Sequence, residues 1–125
     1  MHERSVECME MIICGGDSKE YSLIEKSVND YYRDKNIPCQ IRHCGDWQGL
    51  SRLIKEKTAD AIIVAQDGVS GLDIITGLRI ASGRLIWFSD LDFSIQAYRL
   101  CVSYFDMKPI SHEKVIQALK RIETI

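Results

Sequence analysis

Side chains suited to chemistry gather at four places in this chain: Gly15-Gly16-Asp17, Gln66-Asp67-Gly68, Ser89-Asp90 and Lys108-Pro109. Two glycines ahead of Asp17 and Ser18 offer the backbone of a phosphate cradle at the positive end of a helix. Neither a Walker motif nor Gly-x-Gly-x-x-Gly accompanies them, and the Asp17 carboxylate would repel the anion. Asp17 with Glu20 three residues later reads instead as a capping box. Lys108 is the cation of the set, and it either pairs with Asp67 or Asp17 or binds an anion. A serine such as Ser89, closing an apolar run, most often bonds to nearby backbone. Cys39, His43 and Cys44 are soft ligands close together, but no second ligand pair follows. No metal is expected there, and the three read as strand residues.

The elements that must position these residues are legible from hydrophobic periodicity. Apolar runs of strand length alternate five times with helical stripes, the pattern of a parallel sheet covered by helices on both faces. Strands are predicted over 10–14, 39–44, 61–65, 85–89 and 103–107, the third and fourth being the most apolar and so central. Helical stripes run through Tyr21, Ile24, Val28 and Tyr31; Trp47, Leu50 and Ile54; Leu72, Ile75 and Leu78; Phe93, Ala97 and Leu100; and Val115, Leu119 and Ile122. Asn36 with Pro38 ends the first helical connection and Gly83 closes the third helix. These four places lie at or just after strand ends, and the ligand crevice of an open parallel sheet lies at the carboxyl ends of its strands.

The 125 residues, 46% of them hydrophobic, make one α/β domain over 10–125, with 1–9 as a loose arm or an added edge element. A formal charge of −2 from interspersed acids and bases carries no footprint for nucleic acid or an anionic membrane. Charges at Glu3, Arg4 and Glu7 break up what a signal peptide needs as an apolar run, and no run reaches bilayer length, so a cytoplasmic protein is expected. Five cysteines, an odd number without a Cys-x-x-Cys pair, read as reduced thiols serving as small hydrophobes.

Three stretches carry a family resemblance: Ile12-Ile13-Cys14-Gly15-Gly16-Asp17, Asp60-Ala61-Ile62-Ile63-Val64-Ala65 and Phe105-Asp106-Met107-Lys108-Pro109-Ile110. Over residues 10–125 the chain resembles the receiver domain of bacterial two-component response regulators, especially the LytR/AlgR class whose receivers precede a LytTR DNA-binding domain. The resemblance implies a five-stranded, CheY-like sheet of order 2-1-3-4-5 between two helical layers. It also implies a magnesium ion held by an acidic pair, an aspartate that accepts phosphate, a hydroxyl residue and a lysine. Here the acidic pair falls on Gly15 and Gly16, and the acceptor on Ala65, whose methyl can neither attack phosphorus nor ligate magnesium. The hydroxyl position falls on Ser89 with a one-residue gap or on Phe88 without one. Lys108 survives, followed by Pro109 at the family's usual cis-proline position, and Phe105 stands at the switch-aromatic position or is plain core.

With those groups missing, the chain is expected to be a degenerate, phosphorylation-independent receiver that needs no magnesium and is not an enzyme. It would act through a protein partner or a homodimer. The resemblance places that surface on the fourth helix, fifth strand and fifth helix, where Tyr98, Arg99, Tyr104 and Arg121 are either an interface or an ordinary solvated face. DNA would be reached only through an effector domain beyond residue 125. Two alternatives remain: a sensor of anionic metabolites using the crevice at Gly16, Ala65, Ser89 and Lys108, and a displaced phosphoacceptor at Asp67.

Overall fold

The computed structural model describes residues 8–78 and 84–123. Strands and helices alternate as β1 (Met9–Cys14), α1 (Ser18–Asp34), β2 (Cys39–Cys44), α2 (Trp47–Glu56), β3 (Ala61–Val64), α3 (Gly68–Leu78), β4 (Arg84–Ser89), α4 (Ser94–Arg99), β5 (Tyr104–Met107) and α5 (His112–Glu123). The five strands form one parallel sheet in the order β2-β1-β3-β4-β5, as expected. Crossing back from β2 over β1 to β3 puts α1 and α5 on one face of the sheet and α2, α3 and α4 on the other.

Strand alternation divides the core. Met11 and Ile13 of β1 join Ile24, Val28, Val115 and Leu119 beneath α1 and α5, while Ile12 and Cys14 join Leu50, Ile74, Ile75 and Trp87 beneath α2 and α3. A strand covered on both faces must be apolar on both, which is why β1, β3 and β4 read as unbroken hydrophobic runs. Trp87 and Phe88, fully buried on opposite faces of β4, each contribute about 1.5–3 kcal/mol by leaving water. Trp87 stacks on Phe93 at 5.2 Å and meets Phe105 edge-on at 5.0 Å. Phe105 is thus packed against the α3–α4 side of the core.

Several expectations are corrected. β1 begins at Met9, inside the expected arm, because the Met9 amide donates to Pro38 O at 2.8 Å and Met9 pairs with Cys39. Residues 1–7 and Gly83 lie outside the described residues. Trp47 does not lie under the sheet: it is 42% exposed, because as the first residue of α2 it reaches sideways to α3. A Cβ on Gly77 would stand 3.0 Å from its ring. Phe93 precedes α4 rather than belonging to it, and α4 is short, closing at Leu100 before Cys101 at φ 59°. Cys8 and Cys101 are exposed, so only Cys14 and Cys44 serve as fully packed small hydrophobes. No described helix is long and apolar enough to cross a membrane.

Candidate functional site

The loops after β1 and β3 meet at the carboxyl end of the sheet and interlock through glycine. Gly15 and Gly16 take φ of 82° and 84°, a region costly to any residue with a Cβ. A Cβ on Gly15 would fall 2.7 Å from Gln66, and one on Gly16 would fall 3.3 Å from the Ala65 methyl. The absence of carboxylates here is therefore part of the backbone path. Acidic side chains at these two positions would require the loop to be rebuilt.

Asp17 turns away from the crevice to cap α1. Its Oδ1 accepts from the Glu20 amide at 2.8 Å, while Glu20 Oε1 accepts from the Asp17 amide at 3.0 Å. That reciprocal pair is the expected capping box, and it places Glu20, not Asp17, at the site. Glu20 Oε1 also accepts from Lys108 Nζ at 2.9 Å. Lys108 further donates to the Ala65 carbonyl at 2.8 Å and forms an ion pair with Asp67 Oδ1 at 2.7 Å. All three hydrogens of the ammonium are thus spent. Burial acts most strongly on Lys108 and favours its neutral form, but the bonds to Asp67 and Glu20 together outweigh it, so its pKa lies above the ordinary lysine value. The Lys108–Pro109 peptide bond is cis.

Ser89 is fully buried as the last residue of β4. Its carbonyl accepts from the Lys108 amide at 2.8 Å. Its hydroxyl donates to Asp90 Oδ1 at 3.4 Å and accepts from the Leu91 amide at 3.2 Å. Phe88 points into the core under α1 and α5, so of the two residues it is Ser89 that stands at the crevice. The same Asp90 oxygen accepts from the Gly68 amide at 2.8 Å and fastens the loop after β3. Gly15, Gly16, Ala65, Asp67, Ser89 and Lys108 therefore do converge, whereas Asp17 does not reach the lysine.

The cysteine and histidine trio does not converge. Cys39 packs on the α1 side, Cys44 on the α2 side, and the His43 ring lies 4.0 Å from that of Tyr21. Among the described residues no group of three or more His, Cys, Asp or Glu side chains is placed to hold a metal ion.

The expected interaction residues separate into two pairs. Tyr98, 86% exposed, and Arg99 project from α4 into solvent. Tyr104 is half-buried, donates to Asp106 Oδ2 at 3.2 Å and lies under the Arg121 guanidinium at 5.9 Å. Two residues missed by sequence reasoning, Leu91 and Ile95, add exposed apolar surface, Ile95 on the same helix as Tyr98. Ile95 and Tyr98 stand three apart, opposite the buried Ala97, so the signal was present as the outer face of the stripe.

No protein-family model and no curated protein matches the chain. Solved structures do. The chemotaxis response regulator CheY4 of Vibrio cholerae aligns over 93% of this chain and 99% of its own at 10% identity, with a TM-score of 0.71. The signal receiver domain of an HD domain-containing protein from Pseudomonas fluorescens Pf-5 aligns over 94% and 96% at 13% identity, with a TM-score of 0.76. NtrX from Brucella abortus aligns over 94% of this chain but only 28% of its own, at 12% identity and a TM-score of 0.72. Likeness at these identities is likeness of backbone, and it establishes that this chain has the CheY-like fold of response-regulator receiver domains.

Proposed function

We propose that this chain is a phosphorylation-independent receiver domain of a bacterial response regulator, acting in signal transduction by dimerisation or partner docking rather than by phosphoryl transfer. The observation that carries the reading is the saturation of Lys108 by Glu20, Asp67 and the Ala65 carbonyl at a strand end where a methyl stands in place of a nucleophile. An ammonium already neutralised by two carboxylates has little attraction for a phosphoryl group or a metabolite anion. That disfavours both the anion sensor and an acceptor role for Asp67, which is engaged by the lysine. Docking would use the α4 surface around Ile95 and Tyr98, whose exposed side chains are the apolar centre of a patch with Arg99 at its side. A LytTR-type effector beyond residue 125 would make the whole a transcription regulator.

Incubation with acetyl phosphate and magnesium, followed by intact-mass measurement, tests the first half: the mass is expected not to change, and a stoichiometric phosphoryl adduct would refute the reading. Light scattering over a concentration series tests the second. A strict monomer at every concentration, with no protein retained in pulldown, would count against docking.

A further inference from the structure

Cys14 and Cys44 close β1 and β2 and are direct register partners across the parallel pair. Register partners in adjacent strands lie about 4.8 Å apart, inside the roughly 4.4–6.8 Å window that a disulfide spans between Cα atoms. Both side chains point to the same face, into the core beneath α2 and α3. Both are free thiols. Their contacts with backbone carbonyls are long and weak: Cys14 Sγ stands 3.8 Å from Asp46 O, and Cys44 Sγ 4.0 Å from Ile13 O.

We propose that Cys14 and Cys44 form a redox-responsive dithiol, oxidised reversibly to a disulfide by a small peroxide. The inference stands independently of how the domain docks. Access is through glycine. Gly45, next to Cys44, has open space where a Cβ would be, whereas a Cβ on Gly49 would stand 3.1 Å from that of Cys44, so the α2 backbone covers this residue and Gly45 is the side of approach. A hydrogen bond from the Cys14 thiol lowers the Cys44 pKa, against burial and the Asp46 charge, while the same bond and burial raise that of Cys14. Cys44, 9% exposed where Cys14 is fully buried, is thus the attacking sulfur and Cys14 the resolving one. The Cys44 thiolate attacks an oxygen of hydrogen peroxide and the O–O bond breaks. A sulfenic acid forms, and the released hydroxide takes the Cys44 proton to become water. Cys14 sulfur then attacks the sulfenic sulfur, and the hydroxyl leaves with the Cys14 proton as a second water. Two thiols and one peroxide give one disulfide and two waters.

The pair is joined by backbone to the crevice. Cys44 O accepts from the Gly15 amide at 3.0 Å, and Cys14 O accepts from the Ala65 amide at 2.8 Å. A bond between the two sulfurs ties together the strands whose carbonyls hold both loops of the site.

The test uses a Cys8→Ser, Cys39→Ser, Cys101→Ser chain, in which only this pair remains. Native protein is treated with hydrogen peroxide, quenched and measured by intact mass and peptide mapping. The expected result is the loss of two hydrogens, a peptide linking 14 to 44, and recovery with dithiothreitol. Cys44→Ser in the same background should show no such loss. Two thiols still fully alkylatable on unfolding after treatment, or pairing only when the peroxide is added in denaturant, would overturn the proposal. Wild-type protein, mapped in parallel, excludes an effect of the serine substitutions: a 14–44 link must appear there as well. Slower hydrogen exchange at the Gly15 and Ala65 amides of the oxidised form would show the tie to the crevice, and unchanged exchange would refute that part.

Discussion

Replacing Lys108 by Met deletes the ammonium while keeping an unbranched apolar stem of similar length, and the structure sets how much each partner should lose. The Lys108 and Glu20 side chains are 10% and 23% exposed, so their charged hydrogen bond belongs in the range of about 1.5–3 kcal/mol. Asp67 is 54% exposed, and solvent screening holds its share to roughly 0.2–1 kcal/mol. The Ala65 carbonyl loses its donor in a buried setting, at about 1 kcal/mol. Lys108→Met should therefore cost about 3–5 kcal/mol, a fall in Tm of roughly 10–20 °C for a domain of this size. Urea unfolding of Lys108→Met, Glu20→Gln, Asp67→Asn and the two double variants measures the pairwise couplings. Glutamine at position 20 still completes the capping box through the same oxygen that faces Lys108, so the cycle isolates the charge of the lysine contact. Coupling to Glu20 is expected to exceed coupling to Asp67. A loss below ~0.5 kcal/mol in Lys108→Met, within the range of an ordinary surface change, or the reverse order of couplings, would refute the claim that Glu20 is the principal partner.

Three further outcomes are expected. Ala65→Asp puts a third carboxylate around one ammonium at a position with no exposure; it should destabilise the domain by several kcal/mol, on the order of 3, and still take no phosphoryl group from acetyl phosphate and magnesium, as intact mass would show. Asp17→Ala removes the α1 cap and should cost about 1 kcal/mol, read as a lower urea midpoint with the α-helical signal retained below it. Burial, with the nearby charges of Cys39, Glu123 and Asp60, pushes the Tyr32 phenol from 10.0 up to about 12. The folded state prefers the neutral phenol, so stability should fall as pH rises from about 10 and level off beyond about 12; a Tyr32→Phe chain that loses stability as steeply over this interval would contradict the assignment.

The order of elements was legible because each is announced locally. The unbroken apolar runs of β1, β3 and β4 and the stripes of α1 and α5 depend only on residues near in sequence. The errors fall where a side chain answers to a neighbour from elsewhere. Trp47 fits the α2 stripe yet lies against Gly77 of α3, and Phe93 fits the α4 stripe yet stacks on Trp87 from the preceding turn. Gly15 and Gly16 could be read as missing carboxylates, but their left-handed backbone and fit against Gln66 and Ala65 could not.

Residue identity alone determined what this crevice lacks: a methyl at 65 and two glycines at 15 and 16 hold no carboxylate, however the chain folds. Which groups surround Lys108 was decided only in three dimensions, because Glu20, 88 residues away in the chain, and Asp67 reach it by way of sheet order and a capping box that rotates Asp17 outward. The facing of Cys14 and Cys44 was decided in the same way, by the register of two parallel strands. Local periodicity specifies what an element is, and pairing across the sheet specifies what its side chains meet.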